Sequence, residues 1–204
     1  MIQAILDQAK ATSAVEWVAV IFTLLNVILA MRASIWNFPI GIVSAAAYGW
    51  VFFQSKYYFS TWLQVLYYVP MMVIGWWVWV KGGPQKIDDL PIRWNSPFEN
   101  SIWLVVTVIA SVICGAIMAS TSQGNFPYWD ALATGASIVG QVMLTRKRVE
   151  NWIYWVGVNT IYAFILMPSQ KLWMSAALFV LLLGMALRGW IMWSKAAKTG
   201  AVHA

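Results

Sequence analysis

The sequence predicts an all-α polytopic membrane protein. Its seven transmembrane helices form two parallel three-helix repeats around one unpaired span, a 3+1+3 arrangement. Three observations carry this. Of 204 residues, 61% are hydrophobic and only 10% charged, against roughly 25% charged in soluble domains. Seven apolar runs separated by polar punctuation come close to the roughly 17–25 residues that cross a bilayer. The chain also aligns on itself at an offset of 114 positions, 16–81 on 130–195.

A soluble fold of this size cannot hide so much apolar surface, which excludes a soluble enzyme and a disordered chain. The single histidine is His203 and the single cysteine Cys114. No His/Cys metal cluster, intrachain disulfide or histidine-activated nucleophile can be assembled from them. No catalytic residue, metal ligand or cofactor site is expected, and the chain reads as a non-enzyme. The net charge of +6 reports topology rather than nucleic-acid binding.

Residues 1–13 place Ile2, Ile5, Leu6 and Ala9 on one helical face, which predicts a short interfacial helix. The expected spans are roughly 15–31, 35–54 and 57–80, making a first repeat over 14–81. Segment 82–100 is the one hydrophilic stretch, with three prolines, two glycines and mixed charge, and reads as a linker. It leads to an unpaired fourth span at 101–120, the two together occupying 82–126. Spans at 128–145, 151–167 and 171–193 make a second repeat over 127–195, and 196–204 is a cytoplasmic tail.

Ten positions are identical between the aligned halves, among them Arg32/Arg146, Asn37/Asn151, Gly75/Gly189, Trp79/Trp193 and Lys81/Lys195, and Glu16 falls on Asp130. The extra crossing makes the repeats parallel, a plan the SWEET transporters share. Pro70 falls on Gly184, a helix-weakening residue at matching depth in each half. Seven spans put ten Lys and Arg residues on the side of the C-terminus and three (Lys10, Lys56, Lys171) on the other. The positive-inside rule then places the N-terminus outside and the C-terminus in the cytoplasm. The cluster Arg146–Lys147–Arg148 reads as an anchor facing anionic lipid. Trp76, Trp77, Trp79, Trp190 and Trp193 read as interfacial anchors.

A polar side chain at membrane depth needs a partner or a wet cavity. Trp155, Asn159 and Tyr162 make one stripe of the sixth span; Thr134, Ser137 and Gln141 make one of the fifth. Gln64, Tyr67 and Tyr68 lie in the third, Ser44, Trp50 and Gln54 in the second, and Asn26 in the first. These groups are expected to line a cavity, the alternative being bonds from helix to helix. The three amides break the repeat: Gln64 falls on Leu178, Gln141 on Val27 and Asn159 on Ala45. An asymmetric lining suits a ligand held in one orientation. Carboxylates occur only near the outer ends, at Glu16 and Asp130, so no proton relay or Na⁺ site is expected and facilitated diffusion is. Trp50 and Trp155 are placed to stack on a flat ring, worth ~0.5–2 kcal/mol if the ring is cationic.

The runs WNFPIG (36–41), GWVFFQ (49–54), LQ (63–64), GWWVW (75–79), FPYWD (126–130) and TRKRVENWIYWVGVN (145–159) together resemble the PnuC family of nicotinamide riboside transporters, over roughly 15–195. That family is similar in topology to the SWEET transporters. The resemblance implies uptake of nicotinamide riboside across the bacterial inner membrane, driven by its gradient and trapped by a cytoplasmic kinase. It also implies homo-oligomers, trimers by the family's pattern. Relatives carry thiamine or riboflavin, so another vitamin is the alternative substrate, and a non-transporting scaffold a further one. Substrate-binding candidates are Trp50, Gln64, Tyr68, Ser137, Gln141, Trp155, Asn159 and Tyr162. Amides suit the carboxamide and ribose hydroxyls, and the indoles suit the pyridinium ring.

Overall fold

In the computed structural model, residues 2–54, 56, 58–81, 90–120 and 126–200 are described. Each of the seven apolar runs is helical, and among the described residues there is no β-strand. Helix α1 (Ile2–Ala11) precedes α2 (Ala14–Met31) and α3 (Asn37–Gln54). Next come α4 (Tyr58–Leu63), a π-helical turn at Gln64–Tyr68, and α5 (Val69–Lys81), in line. Helices α6 (Pro97–Ser120) and α7 (Pro127–Thr145) follow. Then come α8 (Asn151–Ile161), a second π-helical turn at Tyr162–Leu166, and α9 (Met167–Ser169); α10 (Trp173–Thr199) is last. Among the described residues, four helices are long and apolar enough to cross a membrane: Ala14–Met31, Ser60–Lys81, Pro97–Ser120 and Trp173–Thr199. Helix α10 runs on to Thr199, into the stretch expected as the tail, and stops where Gly200 takes φ +65°.

Local chemistry sets several helix ends. Ser13 and Glu16 form a reciprocal capping box at the start of α2, so Glu16 is a helix cap. Ser96 and Glu99 repeat it at α6. Both π-helical turns end two residues before a proline, Pro70 and Pro168. A proline lacks an N–H and its ring crowds the carbonyl four residues back. Widening the preceding turn relieves that crowding without ending the helix. This explains why the sixth run stays helical through Pro168 to Ser169 rather than stopping before it.

At the turns that follow α2 and α7, positions 114 residues apart adopt the same local structure. Arg32 and Arg146 follow α2 and α7, and the next residues, Ala33 and Lys147, take φ +48° and +51°. Left-handed backbone at a non-glycine residue is uncommon, so two at one offset mark a shared turn. Asn37 and Asn151 then close it: each Nδ2 donates to the carbonyl three residues back, Ser34 and Arg148, both at 2.6 Å. Gly75 admits the Phe38 ring, and Gly189 admits Trp152; an added Cβ would lie 2.8 Å from Phe38 Cζ and 2.7 Å from Trp152 Cδ2.

The halves also brace each other. The Trp79 indole donates to the Thr145 carbonyl at the end of α7, and the Trp193 indole to the Met31 carbonyl at the end of α2, both at 3.0 Å. Phe38, Trp79, Trp193 and Trp152 form a chain of ring contacts with centroids 4.8, 6.4 and 5.7 Å apart. Trp79 and Trp193 are therefore buried ties, not the interfacial anchors expected of them. Trp76 and Trp77 are exposed and Trp190 partly so.

The charged cluster needs a second correction. Lys147 and Arg148 are buried, so only Arg146 is free to face lipid or water. Arg148 donates to the Trp94 carbonyl (3.2 Å) and pairs with Glu99 (3.0 Å). Lys147 lies over the Trp79 ring, and Arg146 over Trp103. Burial first, then neighbouring Arg93, pulls the Arg148 pKa down; Glu99 and Glu150 oppose this. The described end of the expected linker is correspondingly not loose: Arg93 exchanges backbone bonds with Lys147 and Val149, and the Glu150 carboxylate accepts from Asn95 N. Residues 82–89 of that linker lie outside the described residues.

Helix α6 packs on α7 and α2 on α3; α10 meets α8 and α2, and α5 meets α7. The α6–α7 approach is closest at Gly135, where an added Cβ would sit 2.7 Å from Ser111 N and 3.0 Å from its Cα. Backbone cannot give as a flexible side chain can. Gly135→Ala is expected to cost about 1–3 kcal/mol by overpacking, read as a lowered unfolding midpoint in detergent; an unchanged midpoint would show the helices free to part. Helix α1 is fixed to the start of α10 through Gln8, whose amide donates to the Lys171 carbonyl (2.8 Å) and accepts from Met174 N (2.9 Å). Its Ile2 and Leu6 stay exposed.

Candidate substrate site

One face of α7 supplies the spine of the site. Asp130, Thr134, Ser137 and Gln141 recur at i, i+4, i+7 and i+11, a single stripe of an α-helix. Thr134, Ser137 and Gln141 are buried. The stripe faces both π-helical turns. Tyr67 donates to the Ile138 carbonyl at 2.6 Å, and Tyr68 adjoins Ser137. Tyr162, which opens the second turn, donates to Asp130 Oδ1 at 3.1 Å and also adjoins Thr134 and Tyr68. Its ring stacks on Phe179, centroids 4.7 Å apart and planes 16° off parallel. The wider helical turns thus carry the tyrosines that meet α7, in keeping with the use of π-bulges at functional sites.

Two amides complete the seam. Gln141 is 1% exposed, yet its Nε2 reaches only the Met72 thioether, at 3.7 Å. Sulfur is a weak acceptor, so most of the amide's bonding capacity is unused. Asn159 sits on α8 three residues before Tyr162 and is buried, with no side-chain hydrogen bond among the described residues. A buried amide with spare donors and acceptors suits a solute that supplies them.

The sequence candidates divide accordingly. Tyr68, Ser137, Gln141 and Tyr162 lie along the α7 stripe, with Asn159 beside Tyr162. Gln64 opens the first π-helical turn and faces Gly49 of α3, where an added Cβ would lie 3.6 Å from Gln64 Cβ, an ordinary packing distance. Trp155 lies against Gly140 and packs on the aromatic core at the basic end. Trp50 is not brought to this group; it is 53% exposed and its ring neighbours Phe53. Ser44 and Asn26 are helix ties: Ser44 pairs with Thr23 (2.6 Å), and Asn26 donates to the Asn37 carbonyl (2.6 Å). Asp130, set aside in the sequence as lying near an outer end, belongs to the seam through Tyr162. Extending the Thr134–Ser137–Gln141 spacing back by four residues was the signal for it. Among the described residues, no cluster of His, Cys, Asp and Glu could hold a metal ion.

A helical bundle with membrane-crossing helices and a buried seam of amides, hydroxyls and one carboxylate defines an integral-membrane protein built around a polar interior. The family model described as nicotinamide mononucleotide transporter matches residues 13–195, and the chain belongs to that family of membrane transporters, which are not enzymes. It is 29% identical to the nicotinamide riboside transporter PnuC of Escherichia coli (strain K12), over 90% of this chain and 86% of that one. It is 24% identical to the riboflavin/roseoflavin transporter RibM of Streptomyces davaonensis, over 72% and 68% of the two chains. Its fold is similar to a crystal structure of the vitamin B3 transporter PnuC, with a TM-score of 0.77, 22% identity, and coverage of 98% and 88%.

Proposed function

We propose that this chain carries nicotinamide riboside across the inner membrane by facilitated diffusion, seven spans in a 3+1+3 plan alternating its access. The N-terminus lies outside, the C-terminus lies in the cytoplasm, and a cytoplasmic kinase traps the product. Three copies associate. The matching turns at Arg32–Asn37 and Arg146–Asn151 and the reciprocal Trp79 and Trp193 ties support the two-repeat reading. These ties join α2 to α10 and α5 to α7 at the basic end, so on this reading an opening there parts both pairs.

The observation that carries the substrate reading is the α7 stripe facing Tyr68 and Tyr162 with no lysine or arginine in it. The family description names a mononucleotide, whereas several relatives are named for the riboside. These solutes differ by a phosphate. A phosphate at membrane depth calls for arginine or lysine partners, and the seam offers amides, hydroxyls and a carboxylate. That set suits a ribose, a carboxamide and a positive ring.

The test is uptake of labelled nicotinamide riboside into liposomes holding the purified protein. Internal and external concentrations should equalise without a proton or Na⁺ gradient, with unlabelled riboside competing better than the mononucleotide, thiamine or riboflavin. Accumulation above equilibrium without a kinase would overturn the uniport mechanism; stronger competition by riboflavin would favour the second reading that RibM supports.

A further inference from the structure

We infer that Asp130 determines specificity by charge: its carboxylate is the counter-ion that makes the site prefer a cationic ring over a neutral ring of the same shape. The inference rests on the riboside reading above and assigns the residue that reads the ring's charge.

Three observations converge on Asp130. It is the one carboxylate in the seam, aligned with Thr134, Ser137 and Gln141 on a single face of α7. One of its oxygens accepts from the Tyr162 hydroxyl, which fixes the carboxylate among the site's side chains. It also lacks a cation of the protein. Arg148–Glu99 is the ion pair among the described residues, and the basic residues near α7 stand at its opposite end, at 146–148. Taking a carboxylate partly out of water is costly and favours pairing with opposite charge. Here the position for that partner is left to the solute.

The surroundings favour a flat cation. Tyr162, whose hydroxyl meets the carboxylate, stacks its ring on Phe179, and an aromatic face attracts positive charge. Thr134, one turn along the helix, offers a hydroxyl to a neighbouring polar group. The bland role for Asp130 is to favour the α7 N-terminus, where an acidic residue in the first turn is stabilising by about 0.3–1 kcal/mol. That role is indifferent to the charge of a ligand, which makes the two separable.

The experiment compares nicotinamide riboside with its 1,4-dihydro form, which keeps the carboxamide and ribose but has a neutral ring. Binding of each is measured by tryptophan fluorescence on the full-length protein in lipid nanodiscs. The wild type should bind the cation at least tenfold more tightly. In Asp130→Asn that preference should shrink to within about threefold, through weakened cation binding, with the dihydro form little changed. Equal weakening of both ligands would overturn the inference in favour of a purely structural role, and so would an unchanged preference. If Asp130→Asn does not fold, the wild type still decides, because equal affinity for the two forms removes any charge selection. Binding of neither form by the wild type would instead defeat the riboside reading itself, and this inference with it.

Discussion

Gln141→Ala and Asn159→Ala each weaken nicotinamide riboside binding by roughly tenfold or more, while the unfolding midpoint stays within a few degrees of wild type. The two halves of that expectation have separate causes. A buried amide that bonds a solute contributes about 1–3 kcal/mol when its loss leaves the solute's group unpaired, and 1.4 kcal/mol is a factor of ten. Stability responds little because the protein uses these amides so sparingly: Gln141 meets only a thioether, and Asn159 makes no side-chain bond among the described residues. Asn151→Ala is the control. Its amide is committed to the Arg148 carbonyl, so it should lower the midpoint first. Isothermal titration together with a thermal melt reads both quantities. A large stability loss with unchanged affinity in the Gln141 and Asn159 variants would move them from the site to the scaffold.

Trp193→Ala has the largest expected effect on folding. The side chain is fully buried, packs edge-on against Trp152 and tilted against Trp79, and donates to the Met31 carbonyl. Truncating a buried tryptophan to alanine costs about 3–5 kcal/mol, and for a chain of this size each kcal/mol lowers the midpoint by roughly 2–4 °C. Trp193→Phe keeps a ring but not the N–H, so it leaves the Met31 carbonyl short of a partner and should cost about 1–3 kcal/mol. The ordering Ala worse than Phe worse than wild type, in detergent melts, checks the assignment. Trp77→Ala should change little, because Trp77 is exposed; an equal effect there would deny Trp193 its special place.

The helices were legible because long apolar runs leave little choice of structure. The candidate stripe on α7 was legible for a related reason, since Thr134, Ser137 and Gln141 keep helical spacing within an apolar run. What failed depended on partners distant in sequence. Asp130 meets Tyr162, 32 residues on. Ser44 and Asn26 resemble lining groups until Thr23 and the Asn37 carbonyl are found beside them. Trp79 and Trp193 sit where tryptophan often marks the lipid interface; their pairing at one offset was the clue that they share a buried role. Lys147 and Arg148 form part of a run of positive charge in the sequence. Only the folded chain brings Glu99, the Trp94 carbonyl and the Trp79 ring to meet them.

The crossed indole bonds bear on biogenesis. The end of α2 is sealed by a tryptophan some 160 residues later, and the end of α7 by one that emerges from the ribosome much earlier. Neither group of helices closes on its own. Inserted early segments must wait, incompletely locked, until α10 arrives as the keystone, and a nascent chain stalled before Trp193 presents the quality-control machinery with an open seam.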